Sequence, residues 1–192
     1  MERLTRIRLL GRARLLGAAA GLLAAAAAQA KVFLTPDEAL RLAFPGAAIE
    51  RHTAYLTEAQ QKAEQKLSGD AELPSGLATF YTGLKDGSLL GTAYFDTHTV
   101  RTMPETIMVV VDPKGAIARI EVLSFSEPEE YLPRAHWYEQ FQGKALDDEL
   151  SMKRGIRAVT GATLTARATT DAARRVLALH RVLQSNPGGG KS

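Results

Sequence analysis

The chain reads as an α+β domain: a twisted antiparallel sheet with helices packed on it, and a long C-terminal helix that follows a Thr-Gly-Ala-Thr motif. Three observations predict this. Two pairs of β-rich runs, 77–85 with 88–95 and 105–111 with 116–123, are joined by the turn residues Asp86-Gly87 and Asp112-Pro113-Lys114-Gly115. Residues 165–183 place Ala168, Ala172, Val176, Leu177, Leu179 and Leu183 at helical spacing. Helix-start signals precede the first hairpin, and no long structureless gap is needed to link the elements.

The N-terminus is set apart from this domain. Arg3, Arg6, Arg8, Arg12 and Arg14 form a basic region, 15–28 is a short apolar stretch, and Ala28-Gln29-Ala30 is a small-residue cleavage site. Together these describe a secretory signal peptide over residues 1–30, cleaved after Ala30. The apolar stretch, about 14 residues, falls short of the roughly 20 that a helix needs to span a bilayer. No twin-arginine signature accompanies it, so export by the general route is expected. That places the mature protein in the periplasm or another extracytoplasmic compartment, free or membrane-associated.

Removing residues 1–30 takes five Arg and one Glu from 24 basic and 21 acidic residues, leaving 19 and 20. The basic balance of the whole chain thus belongs to the signal. The remaining cations are interleaved with acids, which argues against a nucleic-acid partner. The sequence has no cysteine, which excludes disulfides, thiolate chemistry, iron–sulfur clusters and thioether-linked haem.

Residues 31–76 read as a helical lead-in. Thr35-Pro36-Asp37-Glu38 combines an N-cap, a proline at the first helical position and a capping-box acid, in a helix that ends before Pro45-Gly46. Thr57 opens a second, largely polar helix with Ala59, Ala63 and Leu67 on one face, expected at the surface. Residues 68–76 read as loop. In the first hairpin, Asp86-Gly87 tolerates the positive φ of a two-residue turn. In the second, Ile117, Arg119 and Glu121 alternate with Ala118, Ile120 and Val122. Residues 96–103 look turn-like, and 134–141 a short helix whose Trp137, Tyr138 and Phe141 belong to the core, because large aromatics gain most from burial. The tail, 185–192, is expected to be disordered. Its Gly190-Lys191-Ser192 mimics the end of a phosphate-binding loop, without the strand before it or the helix after it.

Candidate chemistry concentrates at residues 160–165. Gly161 and Ala162 let backbone amides approach a ligand, and Thr160 suits the N-cap of the helix that follows. The orphan amides of a helix N-terminus carry roughly half a positive charge and favour an anion, most often a phosphate. An ordinary capped helix start fits the same residues. His52, His98, His136 and His180 are dispersed and share no metal-ligand spacing. Glu127, with Glu129 and Glu130, reads either as a solvated acidic loop or as part of a ligand site.

Thr160-Gly161-Ala162-Thr163-Leu164-Thr165 resembles the Ser/Thr-Gly-Ala-Thr-x-Thr/Ser signature of the FMN-binding domain family. That family occurs in the FMN-carrying subunits of Rnf-type and sodium-pumping NADH:quinone oxidoreductase complexes. The neighbouring segments keep its order. The second hairpin is followed by Ser126-Glu127-Pro128-Glu129, where the family has Glu-Thr-Pro-Gly, and by the aromatic stretch Trp137-Tyr138-Glu139-Gln140-Phe141-Gln142-Gly143-Lys144.

The resemblance spans residues 77–184 and implies an FMN-binding domain there. It implies FMN linked by a phosphoester to Thr163, with Thr160, Gly161, Ala162, Leu164 and Thr165 around it and Glu127 at a flavin-proximal turn. It also implies attachment in trans by a flavin transferase using FAD and a divalent metal. The protein would then relay electrons to or from a membrane redox complex or another redox protein, with no substrate chemistry of its own. Arg157 stands three residues before the hexapeptide, where the family pattern has an acid, and Pro128 replaces its threonine. The alternative is an extracytoplasmic binding or assembly module of the same fold that holds FMN noncovalently or carries none.

Overall fold

The apolar run Ile107-Met108-Val109-Val110-Val111 decides the architecture. All five side chains are at most 3% exposed. Ile107, Val109 and Val111 join one apolar cluster, while Met108 and Val110 join another. A strand buried on both faces needs a layer on each side of its sheet, and each such side chain contributes roughly 1.5–3 kcal/mol on burial.

The computed structural model, which describes residues 31–69 and 76–185, supplies those layers. In chain order the elements are β1 (Lys31–Val32), α1 (Pro36–Ala43), β2 (Ala48–Tyr55), α2 (Glu58–Ser68), β3 (Leu77–Lys85), β4 (Ser88–Thr99), β5 (Pro104–Val111) and β6 (Ile117–Phe125). Short 3₁₀ segments (Glu129–Tyr131 and Ala135–Phe141) and α3 (Thr163–Ser185) complete the domain. The six strands form one antiparallel sheet in the order β1-β6-β5-β4-β3-β2. On one face α1 packs Ala39, Leu40 and Phe44 against Ala93, Met108, Val110 and Leu123. On the other, α3 and the 135–141 segment enclose Ile107, Val109, Val111, Ile117 and Ile120. The expected α+β class is the observed one. Residues 1–30, where a signal peptide is expected, residues 70–75 of the expected loop, and residues 186–192 of the expected disordered tail lie outside the described residues.

Local chemistry explains most boundaries. Thr35 and Thr57 cap α1 and α2, and each closes a capping box with Glu38 or Gln60. Asp86 and Gly87 take φ values of 51° and 76° at the β3–β4 turn.

The structure corrects four expectations. The lead-in is not simply helical: it contributes β1 and β2, which form the two edges of the sheet. β2 alternates weakly because only Ala54 on it is buried. On α2, Ala59 and Ala63 face solvent while Glu64 and Ser68 are buried. Its neighbour α3 presents an arginine there, with Arg174 Nε donating to the Ser68 carbonyl at 3.3 Å, so the polar face docks. β4 runs on through Asp96–Thr99, paired with β5, where a turn was expected. The 134–141 helix is a 3₁₀ segment.

A charged network explains the β4 extension. His98 lies between two carboxylates, with Nδ1 2.8 Å from Asp96 Oδ1 and Nε2 2.9 Å from Glu105 Oε2. Arg175 Nη2 reaches Asp96 Oδ1 at 3.1 Å, and Thr169 Oγ1 donates to Glu105 Oε2 at 3.3 Å. Glu105 is fully buried. Burial by itself would push the His98 pKa down, but the hydrogen bonds to Asp96 and Glu105 outweigh it and raise the value to about 9. For Asp96, burial pushes the pKa up, yet the bonds from His98 and Arg175 hold it below its ordinary value. Two cations and two anions thus neutralise one another between sheet and helix.

Gly83 and Gly91 are register partners on β3 and β4 and form the floor on which the Phe44 ring lies. A Cβ at Gly83 would overlap that ring. Gly83→Ala is expected to destabilise the fold by about 1–3 kcal/mol through overpacking, read from the urea midpoint. The network yields a pH signature. Because the His98 pKa is raised in the folded state, its stabilisation is complete below about pH 6.5 and lost as pH rises through about 9. Thermal melts from pH 6 to 10 are expected to show that alkaline loss for the wild type and a flatter profile for His98→Gln.

Candidate functional site

The hexapeptide forms the entry turn of α3. Gly161 has φ of 86°, in the region that only glycine adopts without strain. This lets the Ala162 N–H bond the Val159 carbonyl at 3.1 Å, and the Ala162 carbonyl accepts the Ala166 N–H at 2.9 Å. Ala162, not Thr160, is therefore the residue at the cap, and the helix begins at Thr163, two residues earlier than its apolar spacing indicated. Thr160 is exposed. A glycine-made turn, rather than a side-chain cap, delivers the chain into the helix.

The two helical threonines differ in what their hydroxyls can do. Thr165 is fully buried, and its Oγ1 donates to the Tyr131 carbonyl at 2.5 Å. Thr163 is exposed, and its Oγ1 makes a 3.2 Å bond to the Val159 carbonyl within its own turn. Only Thr163 thus presents an accessible oxygen beside the orphan amides of the helix. Leu164 is half exposed beside it.

Arg101, Tyr131 and residues 161–165 enclose an open cavity of about 250 Å³. The Arg101 guanidinium carbon lies 4.5 Å from the centroid of the Tyr131 ring, a cation–π stack. Glu127 does not line this cavity. Its Oε1 accepts the amides of Thr102 at 2.7 Å and Met103 at 2.9 Å, and the Thr102 hydroxyl at 3.2 Å. The Thr102 amide, with these other donors, holds the carboxyl below its ordinary pKa. Glu127 therefore fixes the β4–β5 loop, which carries Arg101.

The aromatic stretch supports the approach to the hexapeptide. Trp137, Tyr138 and Phe141 are buried in the core, as their size indicated. The Trp137 indole N–H donates to the Arg157 carbonyl at 2.7 Å, and Gln140 Oε1 accepts the Arg157 N–H at 2.9 Å. The backbone at Arg157 is thus clamped from both sides while its side chain is exposed and outside the cavity. Arg101 and Tyr131 escaped the sequence reading, because nothing in their spacing links either to residues 160–165. A larger groove of about 640 Å³ runs beside β6 and the 132–142 segment and includes none of the hexapeptide.

These donors fit the phosphate end of a nucleotide-like cofactor. Helix amides, one exposed hydroxyl and an arginine share a single cavity. In sequence, residues 103–178 match the model of the FMN-binding domain family. No curated protein matches the chain. Among solved structures, the crystal structure of Shewanella oneidensis NqrC is similar, with a TM-score of 0.52 and 16% identity over 75% of this chain and 88% of that one. At that identity the likeness speaks for the fold. The hexapeptide and its supporting segments fall within the residues that match the FMN-binding domain family.

Proposed function

We propose that the protein is an exported electron carrier whose FMN is attached by a phosphoester to Thr163, and that it relays electrons to or from a membrane redox complex. The observation that carries this is the contrast between the two hydroxyls: Thr163 is exposed in the cavity, while Thr165 is buried and spent on Tyr131. The bound flavin supplies the one- and two-electron steps. The chain's own residues hold the phosphate end at the start of α3 and leave the rest of the cofactor open to a partner. The fold shared with NqrC supports service in a membrane-bound redox assembly. The basic and apolar N-terminal segment supports export, and a flavin transferase acting after export would make the bond.

The exposed side chain of Arg157, standing where the family pattern has an acid, favours a second reading in which transferase recognition is lost and FMN is held noncovalently or not at all.

One experiment separates the two readings. Protein exported from a host that has the transferase is denatured and run on a gel. The wild type is expected to show flavin fluorescence co-migrating with the chain, and Thr163→Ala none. Thr165→Ala is expected to stay fluorescent, with stability lowered by about 1–3 kcal/mol because the Tyr131 carbonyl loses its partner. A dark wild-type band beside a fluorescent control protein would sink covalent attachment.

A further inference from the structure

We propose that Arg101 is the cation that holds the flavin phosphate, so that the site selects a phosphorylated flavin, and that Glu127 acts on the flavin only through Arg101, as a positioning residue. This rests on the functional reading above and adds to it a residue outside the matched segment 103–178.

Arg101 lines the same cavity as the Thr163 turn. No acidic partner for it is found among the described residues, and its guanidinium lies over the Tyr131 ring. Asp96 and Glu105, the acids nearest in sequence, are engaged by His98 and Arg175. Glu127 is consumed by the 102–103 amides, and Glu129 pairs with Lys31 at 2.7 Å. Arg101 is therefore an uncompensated cation beside a helix N-terminus that itself favours an anion.

Stacking on Tyr131 occupies a face of the guanidinium and leaves its in-plane N–H donors for another group, the arrangement that suits bidentate phosphate contact. Tyr131 also accepts the Thr165 hydroxyl through its carbonyl. One residue thus ties the cation to the helix start. Glu127 fixes the loop backbone next to Arg101, while Tyr131 takes the guanidinium, in the cavity that the Thr163 turn also lines. An exposed arginine ordinarily adds little to stability.

The test uses the full exported chain made in a host lacking the transferase. It is titrated with FMN and with riboflavin, which differ by the phosphate, and quenching of flavin fluorescence is followed. Wild type is expected to prefer FMN. Arg101→Gln is expected to lose on the order of tenfold or more in FMN affinity, the loss of a charge-assisted contact, with riboflavin binding unchanged. Arg101→Lys is expected to recover part of the preference, and Arg157→Gln to match wild type. Glu127→Ala is expected to weaken FMN binding, while the double variant with Arg101→Gln is no weaker than Arg101→Gln alone. Unfolding midpoints confirm that each variant is folded.

Retention of the FMN preference by Arg101→Gln overturns the proposal, and so does a wild type that shows no preference. If that same wild type carries covalent flavin when the transferase is present, the functional reading survives and only the role of Arg101 falls. A wild type that takes up flavin by neither route overturns both.

Discussion

The angular setting of α3 on the sheet is the constraint on which the site depends. Its buried stripe runs through Thr165, Ala166, Thr169, Ala172, Ala173, Val176, Leu177 and His180, and the small residues of its first half let the backbone approach the sheet closely. Thr163 and Thr165 are two residues apart, about 200° around the helix. The packing that buries one hydroxyl therefore exposes the other. The bond from Thr165 to the Tyr131 carbonyl secures that phase, since slippage would leave a buried carbonyl without its donor. Which threonine is chemically available follows from core packing many residues downstream.

Charge is handled differently in two parts of the molecule. Between sheet and helix, Arg175, Asp96, His98 and Glu105 form a closed chain in which each charge faces its opposite. Thr169, one turn after Thr165, adds a donor to Glu105. Breaking such a buried set is costly, so it specifies one seating of α3 more than it adds net stability. At the cavity, by contrast, the carboxylate of Glu127 is satisfied by amides, and the guanidinium of Arg101 faces an aromatic ring. The first arrangement is balanced, and the second keeps a positive charge available.

The parts of the fold governed by short-range chemistry were legible in the sequence. Thr35 with Glu38, Thr57, Asp86-Gly87 and the apolar run of β5 each act within a few residues, and each element formed where its signal stood. What the sequence hid depends on partners far along the chain. β2 lacks alternation because it is a sheet edge with one buried side chain, and the buried face of α2 is polar because an arginine of α3 lies opposite. At the site, residues 160–165 announced themselves by composition. Arg101 did not, since the contacts linking it to the motif run through Glu127, 26 positions away in sequence, and Tyr131. Glu127 was visible as a residue, but its role as a loop anchor required the fold.

The size of the cavity bears on why a covalent bond would be useful. At about 250 Å³ it lies below the roughly 300–1,000 Å³ of pockets that enclose a small ligand. It has room for a phosphate and its immediate neighbourhood, with half-exposed Leu164 at its lip. A flavin anchored at Thr163, as proposed, would have most of its ring system outside this cavity, so burial within it would contribute little to retention. Exposure favours electron exchange with a partner and works against noncovalent affinity at the same time. A bond at Thr163 removes that conflict, because retention no longer depends on enclosing the part of the cofactor that the partner must reach.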